Sequence, residues 1–128
     1  SPISPNQEQY ALIRVNLNTL KFTYLNVDQT GKFLDSDNFV ITADESTLYF
    51  DVIAEDTVDD IYRLDLTNSS STPTKIITAK NPGAQNDYIV GRLSASNAGG
   101  EKFLFVSNAV NLIPNDTAPH ADGYLWTP

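Results

Sequence analysis

Thr47-Leu48-Tyr49-Phe50-Asp51-Val52-Ile53, followed after an acidic turn by Asp60-Ile61-Tyr62-Arg63-Leu64-Asp65-Leu66, is the stretch on which the fold turns. Leu48, Phe50 and Val52 alternate with their neighbours, a period of two that predicts a strand with one face buried. The same order, strand then polar turn then aromatic strand, returns as Phe103-Leu104-Phe105-Val106 and Asp122-Gly123-Tyr124-Leu125-Trp126. The chain therefore reads first as a repeat array.

Further strands extend the pattern on both sides. Tyr10 to Leu17, Leu20 to Leu25, Phe39 to Thr42, Thr74 to Thr78, Tyr88 to Ser94 and Lys102 to Val106 are short apolar or β-branched runs. Turn signals separate them: Asn18-Thr19, Asp28-Gln29-Thr30-Gly31, Ala43-Asp44-Glu45-Ser46, Asn81-Pro82-Gly83 and Asn97-Ala98-Gly99-Gly100. No amphipathic helical stripe of useful length is present, so the class expected is all-β. Leu12 to Leu17 superposes on Ile61 to Leu66, and Thr42-Ala43 on Ser94-Ala95. Both spacings are about 50 residues, the size of one four-stranded propeller blade. The spacing from Asp60 to Asp122 is longer, which predicts extra loop between the third and fourth strands of the second unit.

The 128 residues are 41% apolar with no Cys and no Met, enough for one modest domain. The formal net charge of -8 repels phosphate backbones and excludes nucleic acid as a natural partner. No run is long and apolar enough to cross a bilayer as a helix. Without cysteine the redox compartment leaves no mark. The acidic, Asn- and Thr-rich composition, with sequons at Asn68 and Asn115, points to a secreted, periplasmic or cell-surface setting. Residues 1–9, opening Ser1-Pro2-Ile3-Ser4-Pro5, read as a flexible lead-in of a trimmed mature protein or of a piece of a longer one.

The stretch Phe39 to Phe50, followed by Asp60-Ile61-Tyr62-Arg63-Leu64-Asp65-Leu66, resembles the repeat of the TolB-like, WD40-like β-propellers. That repeat has a Ser-Pro-Asp-Gly-like turn, a strand ending in an aromatic, a polar loop and an Asp-Ile-Tyr strand closing on Asp-Leu. Thr42-Ala43-Asp44-Glu45 stands at the turn here, and Leu93 to Asn97 with Phe103-Leu104-Phe105 supplies a looser copy. Val106 to Thr117 with Asp122-Gly123-Tyr124 is similar to a long-loop version of the repeat found in bacterial secreted propellers. The likeness spans residues 10 to 126 and implies a partial propeller in residues 10–128, with blade repeats around 20–66 and 74–126. A closed propeller needs at least four blades, so completion by additional chain or by a protein partner is expected.

Repeated aromatics at Tyr49, Tyr62, Phe103, Phe105 and Tyr124 are expected between neighbouring blades. Asp44, Asp60 and Asp122 are expected to accept turn amides. Asn115, Asp116 and Asp122 offer oxygen donors for calcium in the long loop, and Glu55 to Asp60 crowds carboxylates without the spacing of a calcium-binding EF-hand loop. His120 is the only histidine, too few for a zinc set or for a Ser/His/Asp triad around Ser94, Ser96 or Ser107. The resulting expectation is a non-enzymatic interaction or assembly module, binding protein or glycan, with Tyr10, Tyr124 and Trp126 as interaction residues. A scaffold fragment of a larger hydrolase and a stand-alone β-sandwich adhesion domain are the alternatives.

Overall fold

The computed structural model describes residues 10–36, 38–53, 59–78, 94–96, 100–107, 111–114 and 122–128. Among them are nine strands and no helix, in three antiparallel sheets. β1 (Ile13–Val15) and β2 (Phe22–Tyr24) form a hairpin. β3 (Phe39–Ile41), β4 (Thr47–Ile53), β5 (Asp59–Asp65) and β6 (Thr74–Thr78) form a four-stranded meander. β7 (Ser94–Ser96), β8 (Lys102–Ser107) and β9 (Asp122–Trp126) form a three-stranded one. Each sheet is contiguous in sequence. Thr74–Thr78, the start of the second expected unit, pairs with β5 and so completes the central sheet.

Alternation on the central sheet explains the layering. Leu48, Phe50 and Val52 of β4 share one face with Tyr62 and Leu64 of β5, because Leu48 pairs with Leu64 and Phe50 with Tyr62. This face packs against Leu12, Leu25 and Leu34 from the hairpin and the segment that follows it. Tyr49, Ile61 and Ile77 occupy the opposite face and pack against Phe103 and Phe105 of β8, with Tyr124 and Trp126 of β9 at the margin. The central sheet is thus apolar on both faces and lies between two other layers, as a sheet in a stack must.

The turns and connections explain why the layers hold their angles. In the β3–β4 turn, the Thr42 carbonyl accepts from Glu45 N at 2.8 Å and Asp44 Oδ1 accepts from Ser46 N at 3.0 Å and Thr42 Oγ1 at 2.8 Å. Glu45 adopts φ 61°, the left-handed region in which a Cβ is disfavoured. It stands where the resembled repeat has glycine. Asn26, fully buried, clamps the start of β1 to the connection leading to β3: its Oδ1 accepts from Leu12 N, and its Nδ2 donates to the carbonyls of Tyr10 and Leu34, all at 2.8 Å. Ser36 and Asp51, also buried, meet the Asn38 backbone at the same rim, with Asn38 N donating to Asp51 Oδ1 at 3.1 Å.

Two outcomes are expected from this geometry. Glu45→Gly relieves the left-handed backbone and raises stability by about 0.5–1 kcal/mol in urea unfolding; a loss of stability would contradict the turn described. Asn26→Ala orphans the buried Leu12 N–H and Leu34 carbonyl and costs about 2–4 kcal/mol; an unfolding midpoint indistinguishable from that of the parent chain would show the clamp to be dispensable.

Candidate interaction surface

The seam between the central and C-terminal sheets joins an ion pair to a row of packed rings. β8 enters it with Glu101 just before its first residue, and Arg63 on β5 meets that carboxylate as a fork: Nε to Oε1 at 2.6 Å and Nη2 to Oε2 at 2.8 Å. The Tyr49 hydroxyl donates to the same Oε1. Tyr49 and Arg63 are cross-strand partners, so the sheet itself sets them side by side. Below them the Tyr49 ring stacks on Phe103 at 4.6 Å, Phe103 on Phe105 at 5.4 Å, and Phe105 on Tyr124 at 5.3 Å. Trp126 closes the row edge-on to Tyr49 at 5.9 Å.

The electrostatics follow from the fork. Hydrogen bonding from Arg63 holds the Glu101 carboxyl below its ordinary range despite partial burial, and the same bond raises Arg63. Burial, reinforced by the carboxylate beside it, pushes the Tyr49 phenol up, so it remains a donor at any ordinary pH. A carboxylate holding a guanidinium fork and a phenol acts as a structural tie between the two sheets.

On the far side of the central sheet Lys75 spans Asp60 and Tyr62, with Nζ 3.1 Å from Asp60 Oδ2 and 5.9 Å from the ring centre. Asp60 therefore lies inside a strand and forms an ion pair, in place of the turn-amide contact expected from the sequence. Its Oδ1 is buried without a hydrogen-bond partner among the described residues. Residues 54–58 of the acidic run lie outside the described residues.

Of the expected site residues, Tyr10 is exposed, and its amide donates to Asp35 Oδ1 at 2.9 Å. Tyr124 and Trp126 are half-buried at the margin of the seam. Asp122 opens β9 opposite Ser107, while Asn115, Asp116 and His120 lie outside the described residues. Among the described residues no three acidic, His or Cys side chains are grouped to hold a metal ion. Asn111 and Leu112 of the long connection fold back on the central sheet, Asn111 Nδ2 donating to the Thr78 carbonyl at 2.8 Å.

Sequence reasoning expected apolar surface left for a neighbour to cover, without saying which residues would carry it. Ile13 pairs with Tyr24 and Val15 with Phe22, which puts all four side chains on the hairpin face turned away from the core, with Phe22 59% exposed. At the other end Leu104 pairs with Leu125 on the outer face of the C-terminal sheet, with Leu125 63% exposed. The strand alternation was visible; what lacked a signal was which of the apolar faces the remainder of the chain leaves uncovered. No described helix is long and apolar enough to cross a membrane. Comparison with protein-family models, with curated proteins and with solved structures returned no match.

The tie between Glu101 and Arg63 has a definite pH signature. Because the folded carboxyl titrates below its ordinary value of 4.5, its stabilisation is complete above that pH and is lost as pH falls through the folded value. Asp28 and Asp65, lowered chiefly by the hydroxyls of Thr30 and Thr67, act in the same direction. Glu101→Gln is expected to lower stability at pH 7 and to flatten the acid side of the stability curve measured by urea titration. An unchanged acid slope would mean that the fork does not form in solution.

Proposed function

We propose that this chain is a non-enzymatic assembly module, a propeller-type segment whose two end layers are covered by further sheets from additional chain or from a protein partner. The observation that carries the reading is the equivalence of the two larger sheets. Leu48 and Phe50, paired with Leu64 and Tyr62, hold the same places as Phe103 and Phe105, paired with Trp126 and Tyr124. In both sheets that face looks back towards the preceding layer.

Each layer thus presents one kind of face backward and the other forward, a head-to-tail relation that does not terminate itself. The hairpin fits the same order, since Leu12, equivalent to Ile61, is the residue it turns towards the central sheet. What is left over is an apolar backward face on the hairpin and an apolar forward face on the C-terminal sheet. Contiguous exposed apolar surface of this kind marks interaction sites in soluble proteins. An exported setting belongs to the same reading and is supported by the acidic composition alone.

The test is self-association of the isolated chain. Sedimentation velocity is expected to show concentration-dependent association, which high salt strengthens by screening the net charge of -8 and which Phe22→Glu or Leu125→Glu weakens. A chain that stays monomeric at high salt and high concentration, and that binds no apolar dye, would reject the assembly reading.

A further inference from the structure

Beside β1 the hairpin leaves a groove of about 300 Å³, lined along one side by Leu12, Ile13 and Arg14 and along the other by Phe39, Ile41 and Leu48. Phe39 and Ile41 sit on the backward face of the central sheet, as their pairing with Phe50 and Leu48 requires, yet Phe39 is 58% exposed. The hairpin covers β4 and β5 but stops short of β3. We propose that this groove receives a two-stranded antiparallel β-unit of a partner, with the alternating aromatic and apolar chemistry of this chain's own β3–β4 hairpin. The proposal deepens the assembly reading above and rests on it.

The backbone of β1 supports a strand as the occupant. Leu25 N donates to the Leu12 carbonyl and Asn16 N to the Lys21 carbonyl, both at 2.8 Å. These mark Leu12–Leu25 and Asn16–Lys21 as hydrogen-bonded pairs, and in an antiparallel ladder the bonded pairs alternate. Ile13 and Val15 therefore direct their N–H and C=O groups to the outer edge of β1, where no described residue pairs with them. An uncovered edge beside an apolar floor is suited to an extended chain: the edge supplies main-chain hydrogen bonds and the floor takes alternate side chains.

The seam on the other face of the central sheet supports the identity of that strand unit. There β3 lies against β7, and Tyr49 of β4 stacks on Phe103 of β8, so the first two strands of one layer lie over the first two of the next. In the hairpin layer, β1 and β2 hold the third and fourth places, on the equivalence of Leu12 with Ile61. The first and second places fall over β3 and the Leu48 end of β4, and they are the groove. An occupant with an aromatic at alternate positions repeats the packing already made at the seam.

The experiment uses the full chain and a fluorescein-labelled peptide of residues 38–53, the β3–β4 sequence, as probe. Saturable binding by anisotropy is expected, with new hydrogen-exchange protection at the Ile13 and Val15 amides. Phe39→Glu with Ile41→Glu is expected to weaken binding by at least about tenfold, while Leu125→Glu leaves it unchanged. If the double variant loses its melting transition, Val15→Pro removes one outward N–H without touching the floor and is expected to abolish binding. The absence of saturable binding, protection confined to β9, or affinity indifferent to these floor and edge substitutions would each overturn the proposal. The sedimentation result with Phe22→Glu and Leu125→Glu stands or falls separately, because neither residue lines the groove.

Discussion

A sheet that is apolar on both faces has to be covered on both, and this constraint on the central four strands organises everything else in the molecule. Tyr49 and Phe50 are neighbours in β4 and are both fully buried, yet they point to opposite sides, one into each core. Removing large aromatic side chains from water contributes roughly 2–3 kcal/mol apiece. Neither layer can be lost without exposing one of these rings. The hairpin and the C-terminal sheet are thus held by the same strand.

Apolar burial by itself does not fix how one layer sits upon another, since stacked faces can slide and turn with little loss of contact. Polar ties supply the register. The fork from Arg63 to Glu101 joins the third strand of one sheet to the entry of the second strand of the next, and the Tyr49 hydroxyl closes on the same oxygen. On the opposite side Asn26 holds the hairpin layer together internally with uncharged groups, spending its amide on three backbone partners between Tyr10 and Leu34. Partly buried charge pairs contribute modestly to net stability, but a mispaired alternative leaves an ion without its counterion, and that penalty defines one arrangement.

The stack has consequences for function because it is directional. Each layer turns one face backward and the other forward, so the end layers necessarily differ from each other and from the middle. The exposed Ile13, Val15, Phe22 and Tyr24 at one end, and Leu104 and Leu125 at the other, are the places where the same packing rule has no described neighbour to act upon. Ionisable groups in the seam are committed to structural contacts, and those contacts hold neighbouring sheets together.

Strand identity was legible in the sequence because it depends on local alternation. Thr47–Ile53 and Thr74–Thr78 form strands over the expected residues, and Lys102 to Val106 extends by one. The hairpin shortened from its expected Tyr10 to Leu25 span, because Asn26 takes the Leu12 amide and Asp35 the Tyr10 amide. The aromatic positions were also legible as packing residues. Which layer each would meet was not: Tyr62 faces the hairpin side, and Tyr49 faces the C-terminal sheet. By itself the sequence determined an all-β chain of short strands separated by turns, since side-chain period and turn chemistry act between near neighbours. Only the tertiary structure decided that Glu101 would find Arg63, that Asp60 would serve an ion pair, and which apolar faces would remain open, because these depend on residues far apart in the chain meeting across stacked sheets.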